Sequence, residues 1–578
     1  MSKVIVFAMP VFLLLIAIEW VWGRVGAGRE VYRFNDAINS LSLGVISQLA
    51  GVLTRLLTIG IYSAVFGAIA IFPKLDFWNN WYGWVFALLF YDFCYYWLHR
   101  AGHEVALFWA AHVVHHQSQE YNLSTALRQS SSGALFGWIF YLPMAIAGVP
   151  PLLFGIVAMI DLLYQFWVHT ELIDRLGWFD RVFCSPSNHR VHHAVNDRYL
   201  DRNYGGMLVI WDRMFGSFQP EIESDRCVYG TRSPLESWDP LWANAEVYCA
   251  LAKNSWRTSN WADKLRVWFK APGWQPADLV LSDPKPAFIL ASVRRYDPAL
   301  SRASCWFIGA QFALILAAVS QFLWAADSMP AGQSAIWVVA ISSALWAIGL
   351  FMQGRLALLE LLLLETALLA TLAALGWVAF PMALKPMPMS IACVFVLQRA
   401  ISSHGLGKFD RLLGAALLAS LAGDVLLMLP GDHFIAGLAA FLVAHLFYIA
   451  LFRQQAPWFP DRRALAASMG FGALMYAALW SSLADPVLKL AVGGYIGVIS
   501  LMAAQAIGRA RVIGDAASSW VAIGACLFML SDSLIAIDRF LTPLPMASLW
   551  ILSSYFAAQM LIVHHSRAMS AGAGINPR

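Results

Sequence analysis

Runs of about 17–25 apolar residues recur along the chain between short polar breaks, the length a helix needs to cross a hydrocarbon core of ~30 Å. In the first third they fall at 4–22, 41–72, 80–98, 133–149 and 151–169. The second is too long for one crossing and Arg55 interrupts it, so 41–54 is expected to lie in the interface and 56–72 to cross. Ten more follow, near 304–326, 334–351, 356–380, 387–403, 411–429, 434–452, 464–482, 486–508, 516–537 and 545–563. Between the two series runs a polar stretch, Thr170 to Arg302, too charged for the bilayer but carrying Trp238, Trp242, Trp256, Trp261, Trp268 and Trp274. Amphipathic indole rings favour the membrane–water boundary, which predicts an interfacial domain there. The expected fold class is an all-α polytopic membrane protein.

Composition agrees: of 578 residues 60% are hydrophobic and only 13% charged, against a usual charged share of about 25%. The net charge of +4 comes from dispersed residues, so no nucleic-acid surface is expected. Seven cysteines without a Cys-x-x-Cys argue against a disulfide framework or a thiolate metal site. The first apolar segment has one Lys before it and no small-residue cleavage site after it, which predicts a retained span rather than a removed signal peptide. Counting crossings, the short loops and ends on one side carry thirteen basic residues, among them Arg24, Arg355, Lys408, Arg567 and Arg578, against five on the other: Lys3, Lys74, Lys385, Lys489 and Arg539. The positive-inside rule makes the first side cytoplasmic.

Nine of the fourteen histidines fall between residues 99 and 193. They form the pair His99 and His103, the triplets His112, His115, His116 and His189, His192, His193, and the single His169. The pair is spaced i, i+4 and the triplets i, i+3, i+4, so on helices each cluster projects its rings from one face and can chelate. Neutral imidazole suits iron, copper, zinc and nickel, and eight or nine ligands exceed what one tetrahedral ion uses, so two metals are the simplest count. All nine lie on or beside the expected cytoplasmic side.

The stretches YDFCYYWLHRAGHE (91–104), AHVVHH (111–116) and SNHRVHHAVNDRYLDRNYGG (187–206) resemble the fatty acid hydroxylase and sterol desaturase superfamily of membrane di-iron oxygenases, over roughly residues 35–225. YNLSTALRQS (121–130), FWVHTELI (166–173) and WDRMFGSF (211–218) are similar to its alkylglycerol monooxygenase branch. The resemblance implies iron ligands at His99, His103, His112, His115, His116, His189, His192 and His193, with His169 a candidate ninth, and a catalytic acid at Glu104. It also implies two iron ions, which zinc can replace on expression, and molecular oxygen as oxidant. The target is the carbon beside an ether oxygen; its hydroxylation yields a hemiacetal that collapses to a fatty aldehyde and a glycerol derivative. The branch draws electrons from tetrahydrobiopterin, so a pterin reductase or another electron-donor protein is the implied partner. Asp92, seven residues before His99 on one helical face, and Asn188, beside His189, are expected either to orient ligands or to bond backbone.

The second half has few ionisable residues at bilayer depth: Glu360, Glu365, Lys385, Arg399, Asp424, His445 and Asp532. Such groups cost several kcal/mol in lipid and normally face a polar cavity or each other. Asp424 and Asp532 both fall in the outer half of their spans by rise per residue, and Lys385 begins another span at a similar level, so the three are expected to meet. The contexts KPMPMS (385–390), LAGDVLLM (421–428), FLVAHLFYIALF (441–452), GACLFMLSDSLIAIDRF (524–540) and SSYFAAQMLI (553–562) resemble the eight-span lysoplasmalogenase family, over roughly 355–565. That resemblance implies hydrolysis of a vinyl ether, with Asp424 and Asp532 as acid and base and Lys385 holding one carboxylate ionised.

The expected organisation is therefore a di-iron module at 1–230, a Trp-rich linker at 231–303, a connecting transmembrane hairpin at 304–354, an eight-span bundle at 355–567 and a tail at 568–578. The function it implies is degradation of two lipid substrates, alkylglycerols and lysoplasmalogens, each releasing fatty aldehyde. The alternative is a hydroxylase of a sterol, carotenoid or aminolipid whose C-terminal half only binds lipid.

Overall fold

The computed structural model describes residues 2–402 and 407–571. The tail 572–578 with Arg578, and part of the expected loop 404–410, lie outside the described residues, as do the side chains of Arg55 and Arg567. Helices make up nearly all the regular structure; among the described residues β-pairing is confined to isolated bridges such as Phe183 with Leu208 and Ala194 with Tyr229. Among the described residues ten helices are both long and apolar enough to cross a membrane. The chain is a multi-pass membrane protein.

Two of the expected crossings are corrected. The interfacial segment at 41–54 is part of one helix, Phe34–Arg55, itself long enough to cross, and a π-helical turn over Leu56–Gly60 leads only to the short helix Ile61–Ile69. The run at 133–149 is broken into Gly133–Phe136, a 3₁₀ segment Gly137–Tyr141 and Leu142–Ala147, which ends at Gly148 in the left-handed region (φ 97°). Hydropathy sees only apolar length, whereas Gly133, Gly137 and Pro143 weaken the continuous helix a crossing needs.

The chain divides into two compact units, Met1–Arg355 and Leu356–Arg578. In the first, helix Trp81–Glu104 carries the first histidine pair, and Pro151–Trp167 ends just before His169. The third cluster rides on Pro186–His193, started by Ser185, whose side chain accepts from the Asn188 N–H, and by Pro186 at the first helical position. The hairpin helices Arg302–Ala325 and Ala331–Met352 are tied into this unit: Trp346 Nε1 donates to Asp239 at 3.0 Å, and Gln353 Oε1 accepts from Ser237 Oγ and the Trp238 N–H. Among its described residues the second unit has eight long helices, Leu358–Ala374, Met387–Ser402, Lys408–Met428, Phe434–Phe452, Arg462–Leu479, Pro486–Ile513, Ala516–Phe540 and Ala547–Ala571.

Candidate metal centre and a second polar site

The nine histidines come together as two groups. His99, His103, His112, His116 and His192 form one; His115, His169, His189 and His193 form the other, and within each the ligand atoms lie within 4.8 Å of one another. The partition crosses the sequence clusters. In each triplet the i and i+4 residues share a group while the i+3 residue turns to the other, because on a helix the two offsets fall on opposite sides of residue i. His169, the single histidine of the sequence, is a full member of the four-residue group.

Backbone carbonyls orient the rings. His99 Nδ1 lies 2.8 Å from the Tyr204 carbonyl, His115 Nδ1 2.9 Å from that of Arg128, His169 Nδ1 2.8 Å from that of Gln165 and His192 Nδ1 3.0 Å from that of Arg202. A carbonyl only accepts, so each Nδ1 carries the proton and each Nε2 presents a lone pair. His115 Nε2 and His169 Nε2 then face each other at 3.1 Å with no proton between them, and His189 Nε2 is also 3.1 Å from His169 Nε2. Lone pairs so disposed in a buried site repel unless a cation lies among them. Metal–nitrogen bonds of about 2.0–2.1 Å place neighbouring ligand atoms roughly 2.8–3.4 Å apart, the spacing found. In the five-residue group the Nε2 atoms of His99, His103 and His192 are buried without a hydrogen-bond partner. Burial pushes His112, His116, His189, His192 and His193 well below the usual histidine range, and His115 down to about 4, so these imidazoles are neutral near pH 7. The donor set fits transition-metal ions.

Several side chains hold this cage. The Asp212 carboxylate accepts from the Tyr204 and Gly205 N–H groups at 2.7 and 2.8 Å and from Ser217 Oγ at 2.6 Å. Asp92 accepts from the Met207 and Leu208 N–H groups and from Trp211 Nε1. Together they fix the turn whose Tyr204 carbonyl aims His99. That turn needs glycine: a Cβ on Gly205 would sit 2.4 Å from the Leu208 carbonyl oxygen, and one on Gly206 2.8 Å from the Tyr95 ring. Arg190 pins the third cluster by a two-pronged bond to Glu221 and by donating to the Thr170 and Ile173 carbonyls. Arg128, 1% exposed, donates to the Val114 carbonyl and to Asn39 Oδ1 while its own carbonyl receives His115; burial pushes it down to about 10, still cationic near pH 7.

Of the expected orienting residues, Asp92 acts through backbone and not on a ring, and Asn188 donates to the Asp180 and Phe183 carbonyls. Glu104 stands outside both groups, with its exposed carboxylate paired to Arg100 at 2.9 Å. Sequence reading missed Arg128, Asp212 and Arg190; the only signal was their place inside otherwise unexplained polar motifs.

In the second unit, Asp424 accepts from Tyr555 Oη at 2.8 Å. Asp532 accepts from Tyr495 Oη, and His445 Nε2 lies 2.9 Å from that hydroxyl and 3.5 Å from Asp532 Oδ2. An apolar cleft is lined by Asp532 and Tyr495 but not by Asp424, so the two carboxylates do not share its wall as their level in the sequence suggests. The physical reason is aromatic: Phe528, one turn before Asp532, stacks edgewise on both His445 and Tyr555, and Phe441 packs on Phe528 and Tyr555. Tyr495 and Tyr555 were not singled out from the sequence, and His445, in the apolar run FLVAHLFYIALF, was named only as an ionisable group at bilayer depth without a role.

Comparison with known proteins agrees with both halves. The fatty acid hydroxylase family model matches residues 84–217, and the YhhN family model matches residues 380–566. Alkylglycerol monooxygenase of Danio rerio is 36% identical over 389 residues, 65% of this chain and 85% of that protein. Alkylglycerol monooxygenase of Xenopus tropicalis is 40% identical over 299 residues, 51% of this chain and 65% of its own length. A lysoplasmalogenase of Mycobacterium bovis is 35% identical over 173 residues, 29% of this chain and 64% of that protein. No solved structure matches. With its paired imidazole groups inside the first matched region and its membrane-helix carboxylates inside the second, the chain belongs to the alkylglycerol monooxygenase family of fatty acid hydroxylase-type membrane enzymes and carries a lysoplasmalogenase-like YhhN module.

Proposed function

We propose that this membrane protein degrades ether lipids at two chemically independent sites, a di-iron oxygenase for alkylglycerol ethers and a hydrolase for the vinyl ethers of lysoplasmalogens. The observation that carries the first is the division of nine buried imidazoles into groups of five and four, with bare Nε2 atoms turned inward. His99, His103, His112, His116 and His192 would hold one iron; His115, His169, His189 and His193 would hold the other. When bound, the iron pair supplies activation of molecular oxygen, which an unactivated C–H bond requires and acid–base side chains cannot provide. The chain's own part is to orient the ligands through the carbonyls of Arg128, Gln165, Arg202 and Tyr204 and to exclude bulk water around the rings. Tetrahydrobiopterin is the proposed electron donor, and Glu104, held outward by Arg100, is proposed to act from the rim of this site. A cytoplasmic face for the imidazoles is the reading that the excess of basic residues on one side along the sequence supports.

In the second site the reaction adds water across a vinyl ether. A proton joins the alkene carbon remote from the oxygen, and water attacks the resulting oxocarbenium carbon and gives up its proton. The hemiacetal then collapses to an aldehyde and a free glycerol hydroxyl. Two carboxyls divide this work, one as acid and one as base. Asp532 and Asp424 are assigned to it, with Lys385 holding one of them ionised. The test is lipid analysis of membranes with and without expression, given an alkylglycerol and a lysoplasmalogen in air and under anaerobic conditions. Loss of both lipids in air, and of the vinyl ether alone without oxygen, is the expected result. Turnover of a sterol, carotenoid or aminolipid instead, with both ethers intact, would replace this reading by the hydroxylase alternative.

A further inference from the structure

We propose that Asp532 is the carboxyl that meets the substrate in the second site and that His445, set behind the cleft wall, is a positioning residue that fixes Asp532 through Tyr495. This rests on the hydrolase reading above. The cleft is walled by apolar side chains such as Leu427, Phe471, Met475, Val492 and Ile496, with Asp532 and Tyr495 among its few polar residues. Such a lining suits the single hydrocarbon chain of a lysolipid and places the reactive end of that chain against Asp532.

His445 is fully buried and its Nδ1 has no hydrogen-bond partner. A buried N–H without an acceptor costs more than a bare ring nitrogen, so the proton belongs on Nε2. Nε2–H then donates to Tyr495 Oη at 2.9 Å, and the Tyr495 hydroxyl is left to donate to Asp532. The chain of donors runs in one direction and ends on the carboxylate. The Tyr495 hydroxyl takes Oδ2 of Asp532, and His445 Nε2, 3.5 Å from that atom, is bonded to the hydroxyl and not to the carboxylate, so Oδ1 is left for substrate or water. Phe528 packs on the His445 ring at 4.7 Å between centroids and holds it in this attitude. Asp424 is tied to Tyr555 and does not line this cleft.

The experiment uses the full-length protein in detergent and a 1-alkenyl lysophospholipid as probe, with aldehyde release as readout. His445→Leu is expected to lower kcat about 10- to 150-fold, the worth of one hydrogen bond in a charged network, with KM nearly unchanged. His445→Gln, whose amide N–H can replace Nε2–H, is expected to recover most of that loss. Tyr495→Phe and the double variant Tyr495→Phe/His445→Leu should be equally slow, because the histidine acts only through the hydroxyl. A wild-type kcat in His445→Leu, a Gln variant no better than Leu, or additive losses in the double variant would each overturn the proposal. If His445→Leu is not monodisperse, the Gln variant and Tyr495→Phe decide by the same criteria. No vinyl-ether cleavage by the wild type, with His445→Leu equally folded, would instead overturn the hydrolase reading and this inference with it.

Discussion

The rings of His116 and His193 stack at 4.3 Å between centroids and 23° between planes, although the two residues belong to different ligand groups. One comes from the second histidine cluster and the other from the third, so the two groups are immediate neighbours and not separate sites that share a module. Close spacing of this kind is what a pair of metal ions acting together requires.

The first prediction concerns stoichiometry. The purified protein should carry about two metal ions per chain, iron when loaded natively and zinc in part after heterologous expression. His103→Ala and His169→Ala remove ligands from different groups, so each should lower the content toward one ion. Elemental analysis that finds no metal in the wild type, or no change in either variant, counts against the assignment.

Separability of the two sites is the second. His115→Ala or His192→Ala should abolish oxygen-dependent alkyl-ether cleavage and leave vinyl-ether hydrolysis intact, since the latter needs no redox group. Equal loss of both activities under anaerobic conditions would mean one site and not two.

A third prediction follows from Asp212, whose carboxylate receives three donors. Asp212→Asn replaces one acceptor oxygen by a donor facing an N–H or hydroxyl, at a cost of about 1–3 kcal/mol. The Tyr204 carbonyl then loses its fixed place, so metal should be lost first from the group that contains His99. Thermal unfolding and metal content measured together check this; an unchanged metal content with lowered stability would limit Asp212 to packing.

Arg128→Met is the fourth. It leaves Asn39 Oδ1 buried without its donor, at about 1–3 kcal/mol, and leaves the Val114 carbonyl with only the Gln117 N–H. The expected outcome is a lowered unfolding temperature and faster loss of metal to a chelator, through His115, while hydrolysis in the second unit persists. Chelator kinetics identical to the wild type would refute the link to His115.

Much of the chemistry was legible along the chain because it depends on local spacing. The i, i+3 and i+4 intervals put the histidines of each cluster on one helical face before any tertiary contact exists, and their number already demanded more than one ion. The cost of charge in apolar runs likewise singled out Asp424 and Asp532. Span boundaries were less legible at 41–72 and 133–149, because hydropathy averages over Arg55 and over the glycines and proline that set where a helix bends or stops.

By itself, then, the sequence determined an all-helical membrane chain, the identity of the nine imidazoles and the two aspartates, and the likeness of each half to a lipid-ether enzyme. Only the tertiary structure decided which imidazoles fall into one group, that His169 joins His115, His189 and His193, and that Asp532 rather than Asp424 lines the cleft. It also supplied the groups that orient them: carbonyls of Arg128, Gln165, Arg202 and Tyr204 that any residue type possesses, and a histidine and tyrosine brought from separate helices to one carboxylate. The reason is that periodicity fixes the face a side chain takes on its own helix, whereas the face it meets is set by how distant helices pack, and that depends on the shape of every side chain between them.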